Sequence, residues 1–106
     1  MLKPTSFASR FQTATIYLKN PLSTEELKTI IDTAGSRIQR IKGVVSLENE
    51  GDTVIQYAAG VLATEAVPDA FDKKTERYLV IIGESLKEPL LPKGAKFQIR
   101  QSVQDI

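Results

Sequence analysis

The chain has 106 residues, with 14 Lys and Arg against 13 Asp and Glu and a net charge of +1, so it is one domain with a single modest core and no bulk charge to draw it to nucleic acid or an anionic membrane. It contains neither Cys nor His, which removes disulfides, thiolate nucleophiles, sulfur–zinc sites and the side chain most used for acid–base work near neutral pH. No apolar run approaches the roughly 20 residues of a membrane span, and the opening MLKPTSFASRF lacks a secretory leader's apolar segment, so a cytoplasmic location is expected.

Residues 1–10 are polar and mixed and read as a tail or linker, leaving 11–106 as a single domain. Phe11 to Leu18, rich in Thr, aromatic and branched residues, reads as a strand. Ser23 and Glu26 stand at the spacing of a capping box, with Leu22 and Leu27 as a hydrophobic staple across it. Leu27, Ile30, Ile31 and Ala34 then form one apolar stripe, and Gly35 suits a helix exit, which predicts a helix over Thr24 to Ala34.

Ile38 to Leu47 reads as a second strand, with Ile41, Gly43, Val45 and Leu47 on one face and Arg40, Lys42 and Ser46 on the other. The turn Glu48-Asn49-Glu50-Gly51-Asp52 predicts a hairpin returning through Thr53 to Ala59. Gly60 reads as a bulge or bend before a short strand over Val61 to Val67, and Pro68 to Thr75 as a polar loop. Arg77 to Ile82, RYLVII, is apolar on both faces and reads as a central, covered strand. Ser85 and Glu88 repeat the capping-box spacing, which predicts a helix kept short by Pro89 and Pro92. Lys96 to Gln101 alternates as a final edge strand.

The expected fold is therefore α+β and two-layered, in the order β-α-β-β-β-β-α with the edge strand after it, a mostly antiparallel sheet and helices chiefly on one face. The core expected from the patterns is Ile16, Leu18, Leu27, Ile30, Ile31, Ile41, Val45, Leu47, Ile55, Leu79, Ile81 and Leu86.

The run of a strand, a capped helix, RIKGVVSL, a hairpin, the small pair Ala59-Gly60 and RYLVIIGESL resembles the C-terminal domain of the CobW-type GTPases, relatives in cobalamin synthesis and metal delivery. Its markers are an Arg-x-Lys-Gly strand, matched by Arg40, Lys42 and Gly43, and an apolar strand ending Ile-Gly, matched by Ile82 and Gly83; the likeness runs from Phe11 to Leu91. In that family the resemblance places nucleotide hydrolysis in a separate P-loop domain together with a Cys-containing metal motif. This chain has no G-x-x-x-x-G-K-[ST] and its glycines are scattered singly, so it has no phosphate cradle.

Arg37, Arg40 and Lys42 are the candidate partner or anion surface, set against a plain solvated strand entry. Glu48, Glu50 and Asp52 gather oxygens in a turn that lacks the length of a calcium loop. Glu65, Asp69, Asp72 and Glu76 are the carboxylates to pair for acid–base work, and Ser85 with Lys87 the nucleophile and base, yet the loop is polar and Ser85 has a use as a cap. Tyr57 and Tyr78, with Arg77 and Lys42 beside them, are the residues that would stack nucleic-acid bases, on a chain of near-neutral charge. These readings give a non-catalytic accessory or interaction domain, without catalytic, cofactor or metal residues. Its expected partner is a protein, a CobW-type GTPase domain by the resemblance, with the edge strand free to pair with a second copy. The alternative is a small-ligand or anion module on the basic strand face.

Overall fold

The computed structural model describes residues 11–72 and 74–101. The expected tail over 1–10 and the last five residues of the expected domain lie outside them. Among the described residues no helix is long and apolar enough to cross a membrane.

The elements are β1 (Phe11–Leu18), α1 (Thr24–Thr33), β2 (Arg37–Leu47), β3 (Gly51–Ala58), β4 (Val61–Ala66), β5 (Arg77–Glu84) and β6 (Lys96–Gln101). The strands form one six-stranded sheet in the order β4-β3-β2-β5-β1-β6, antiparallel at every pairing. Since β5 is antiparallel to both its neighbours, β1 and β2 run parallel to each other on either side of it, joined through α1. At the end of β5 the incoming chain takes its place: the Leu22 N–H donates to the Ser46 carbonyl at 2.7 Å and the Glu48 N–H to the Leu22 carbonyl at 2.9 Å, an isolated parallel bridge.

Helix α1 starts where the sequence marks it. The Glu26 N–H donates to the Ser23 hydroxyl oxygen at 3.0 Å and the Ser23 N–H to the Glu26 carboxylate at 2.9 Å, so two otherwise free donors are satisfied reciprocally. Leu27, Ile30 and Ile31 are buried with the inward residues of the sheet, and Ala34 caps the end. All twelve expected core residues are buried, joined by Ala14, Leu22 and Ala34.

The helix expected after Ser85 does not form. Ser85 stands at φ 55, and the N–H groups that would open a helix are taken by distant acceptors. Leu86 donates to the Gln12 side-chain oxygen at 2.8 Å, Lys87 to the Ala34 carbonyl at 2.8 Å and Leu90 to the Thr33 hydroxyl at 2.9 Å. With Pro89 and Pro92 already hostile to a helix, the segment is pinned as an irregular strap on the end of α1. The fold is thus α+β with one helix among the described residues.

Gly60 is part of a full reversal, not a bulge or bend. Ala58 pairs with Val61, and the two residues between them, Ala59 at φ 52 and Gly60 at φ 80, make the tight turn whose handedness matches twisted strands. Ala59 bears the strain of positive φ with a Cβ. Ala59→Gly is expected to raise stability by about 1 kcal/mol in a urea melt.

Candidate functional site: the uncovered face of the sheet

Opposed residues in neighbouring strands point to the same side of a sheet, so the register sorts every side chain. Ala14, Ile16, Ile41, Val45, Ile55, Leu79 and Ile81 face α1 and the core. The other side carries Tyr78, Val80 and Ile82 of β5, opposite Val44, Lys42 and Arg40 of β2 on one flank and Tyr17, Thr15 and Thr13 of β1 on the other. No described element covers this side. Strand β5 is central, as its sequence indicates, but it is covered on one face only; Ile82 remains 38% exposed.

Arg40 and Lys42 lie on the open face as their alternation requires. Arg37 would fall on the core side by simple counting, but the register of β2 against β5 slips by one residue between Ile38 and Arg40. That bulge turns Arg37 onto the same side as Arg40 and Lys42. The three candidates therefore line one strand. Arg37 sits 3.5 Å from Glu84, with its own side chain 69% exposed, a solvated pair of little energetic weight. Among the described residues neither Arg40 nor Lys42 has an ion-pair partner. These two join Tyr78, Val80 and Ile82 around a shallow depression of about 360 Å³.

The other candidates do not assemble. Asp52 leaves the turn to accept both arms of the Arg77 guanidinium at 2.8 Å, while Glu48 and Glu50 point to solvent. Glu65 lies on exposed β4 and Asp69, Asp72 and Glu76 in the following loop, where the Asp72 carboxylate accepts the Lys74 N–H. Among the described residues no group of three His, Cys, Asp or Glu gathers to hold a metal ion. Ser85 and Lys87 are exposed parts of the strap. Tyr57 and Tyr78 fall on opposite faces, Tyr57 opposing buried Ile41. The tyrosine that does stand beside Tyr78 is Tyr17. Its outward direction is implied by inward Ala14, Ile16 and Leu18, but its neighbour depends on a pairing between strands about sixty residues apart, and nothing local signals that.

Glycine positions tie this geometry to the sequence markers. A Cβ on Gly43 would lie 2.1 Å from the Tyr78 carbonyl oxygen, and one on Gly83 2.4 Å from the Arg37 carbonyl oxygen, so the two glycines let β2 and β5 approach closely from both sides. No curated protein and no solved structure matches the chain. The cobalamin synthesis protein cobW C-terminal domain does, over residues 11–96, from the first residue of β1 to the first of β6, and the chain belongs to that family.

Proposed function

We propose that this protein is a non-catalytic accessory domain that works by presenting the uncovered sheet face to a protein partner, a CobW-type GTPase domain in the cobalamin or metal-homeostasis setting of its family. One observation carries the reading: among the described residues, a central strand with apolar side chains on both faces has a layer over only one of them. Sheets with two apolar faces are stable when both are packed, so Val80 and Ile82 mark a layer supplied from outside. Arg40 and Lys42 beside them give the contact a sign and a register.

The test is a lysine-labelling footprint with a CobW-type GTPase domain supplied in trans. Lys42 and Lys96, on the open face, are expected to lose reactivity, and Lys28 and Lys87, on the helix side, to keep it. Ile82→Asp is expected to abolish the protection while costing only about 1 kcal/mol of stability, because Ile82 lies outside the core. Unchanged labelling of Lys42 and Lys96 sinks the docking reading, and metal-dependent GTP turnover by the pure chain sinks the non-catalytic one.

The depression between Arg40, Lys42 and Tyr78 favours a second reading, a site for a small anion. The double change Arg40→Ala, Lys42→Ala separates the two. Loss of small-anion binding with docking intact supports the second; loss of docking alone supports the first.

A further inference from the structure

The open face has more order than a generic contact surface. Along β2 stand Arg37, Arg40 and Lys42; along β6, by its register with β1, stand Lys96 opposite Tyr17 and Arg100 opposite Thr13. Between these two cationic rails lie β5 and β1, whose outward residues are aliphatic, hydroxyl or aromatic except for Glu84 at the end of β5. Three strand spacings separate the rails, roughly 14 Å. An α-helix with its side chains is about 10–12 Å across. The acids on the same side are already engaged or remote: Glu84 pairs with Arg37, Asp52 is held by Arg77, and Glu65 lies on the outer strand β4.

Building on the docking reading, we infer that the open face is a seat for an amphipathic α-helix of the partner protein, its apolar stripe on Val80 and Ile82 and acids along both flanks. A helix is the element whose width fills the trough and whose two flanks meet both rails at once. Residues 1–10 of this chain do not supply that chemistry, since they carry Lys3 and Arg10 and no acid. Single-stranded nucleic acid fits less well. Its bases need successive aromatic platforms, and the floor offers one adjacent pair, Tyr17 and Tyr78, separated from Phe11 at the far end of β1 by Val80, Ile82 and threonines.

The probe is a fluorescent, alanine-rich helical peptide of about 18 residues with a leucine stripe flanked on both sides by glutamates, a length that covers the trough. Its counterpart has lysines in place of the glutamates. In anisotropy titrations at low salt the glutamate peptide is expected to bind at least about tenfold more tightly than the lysine peptide, with the margin shrinking as salt rises. Ile82→Asp is expected to remove binding of the glutamate peptide. The fourfold change Arg40→Glu, Lys42→Glu, Lys96→Glu, Arg100→Glu is expected to reverse the preference, a gain that misfolding cannot imitate; if that variant does not fold, the same four positions changed to Gln, which leaves the Arg37–Glu84 pair on the rails, are expected to erase the preference instead. Equal binding of the two peptides overturns the inference, as does an Ile82→Asp variant that binds like the parent or a uridine oligonucleotide that displaces the glutamate peptide at lower concentration than unlabelled peptide does. Lysine protection by the GTPase domain without peptide binding leaves docking standing and removes the helix; absence of both removes docking itself.

Discussion

Gly43→Ala is expected to lower the stability of the protein by about 3 kcal/mol or more, a large share of the total. The added carbon would sit 2.1 Å from the Tyr78 carbonyl oxygen and 2.9 Å from the Leu79 Cα. Both atoms are backbone of β5, so no side chain can swing aside, and relief requires parting β2 from β5 at the centre of the sheet. A domain of this size has roughly 5–15 kcal/mol to lose. Gly83→Ala meets the same obstacle from the other strand, 2.4 Å from the Arg37 carbonyl and 3.0 Å from the Ile38 Cα. Gly60→Ala is the control: at φ 80 it carries strain but meets nothing within 4 Å, so about 1 kcal/mol is expected. Urea melts of the three variants test the ranking; a Gly43→Ala midpoint close to that of Gly60→Ala would show that β2 and β5 yield easily, and the close approach would lose its meaning.

What the sequence discloses and what it hides divide along the range of the interactions. Alternation in β2 and β5, the capping box of α1 and the turn at Gly51 are written within a few residues of one another, and these elements form where their signals stand, with all twelve expected core residues buried. Where a distant partner decides, local signals mislead. The Ser85–Glu88 spacing is as good a capping box as Ser23–Glu26, but Gln12, Thr33 and Ala34 claim the backbone donors first. RYLVII reads as covered on both sides because alternation measures hydrophobicity and not the number of layers available. Among the described residues there is one helix, and it lies on the core face.

The candidate site shows the same split. Arg40 and Lys42 were legible because they alternate with buried Ile41 and Gly43. Arg37 reached their face only through a one-residue slip against β5, and Tyr17 and Lys96 became part of the surface through the insertion of β5 between β1 and β2 and the addition of β6 outside β1. Strand order is a property of the whole sheet, and so is the trough it creates.

Arg77→Ala is expected to cost about 2–3 kcal/mol, a fall in melting temperature of roughly 10 °C for a domain of this length. Its guanidinium reaches across the end of β2 to grip Asp52 at the start of β3 with two parallel bonds of 2.8 Å, donates also to the Thr75 carbonyl and lies 5.0 Å from the centre of the Phe71 ring. The Arg77 and Asp52 side chains are only 16% and 20% exposed, so truncation leaves a carboxylate largely removed from water without its main counter-charge. Arg77→Lys keeps the charge and loses the fork, and should fall between parent and Ala. A cycle with Asp52→Ala is expected to show coupling of 1 kcal/mol or more, about the amount a fully solvated pair does not reach. Because the fork ties β3 to β5 at one end of the sheet while Arg40, Val80 and Ile82 lie further along, the folded fraction of Arg77→Ala should keep the parent's lysine footprint and peptide preference. A variant that melts like the parent, or that loses binding while still folded, would place Arg77 in the docking surface and not in the frame that holds it.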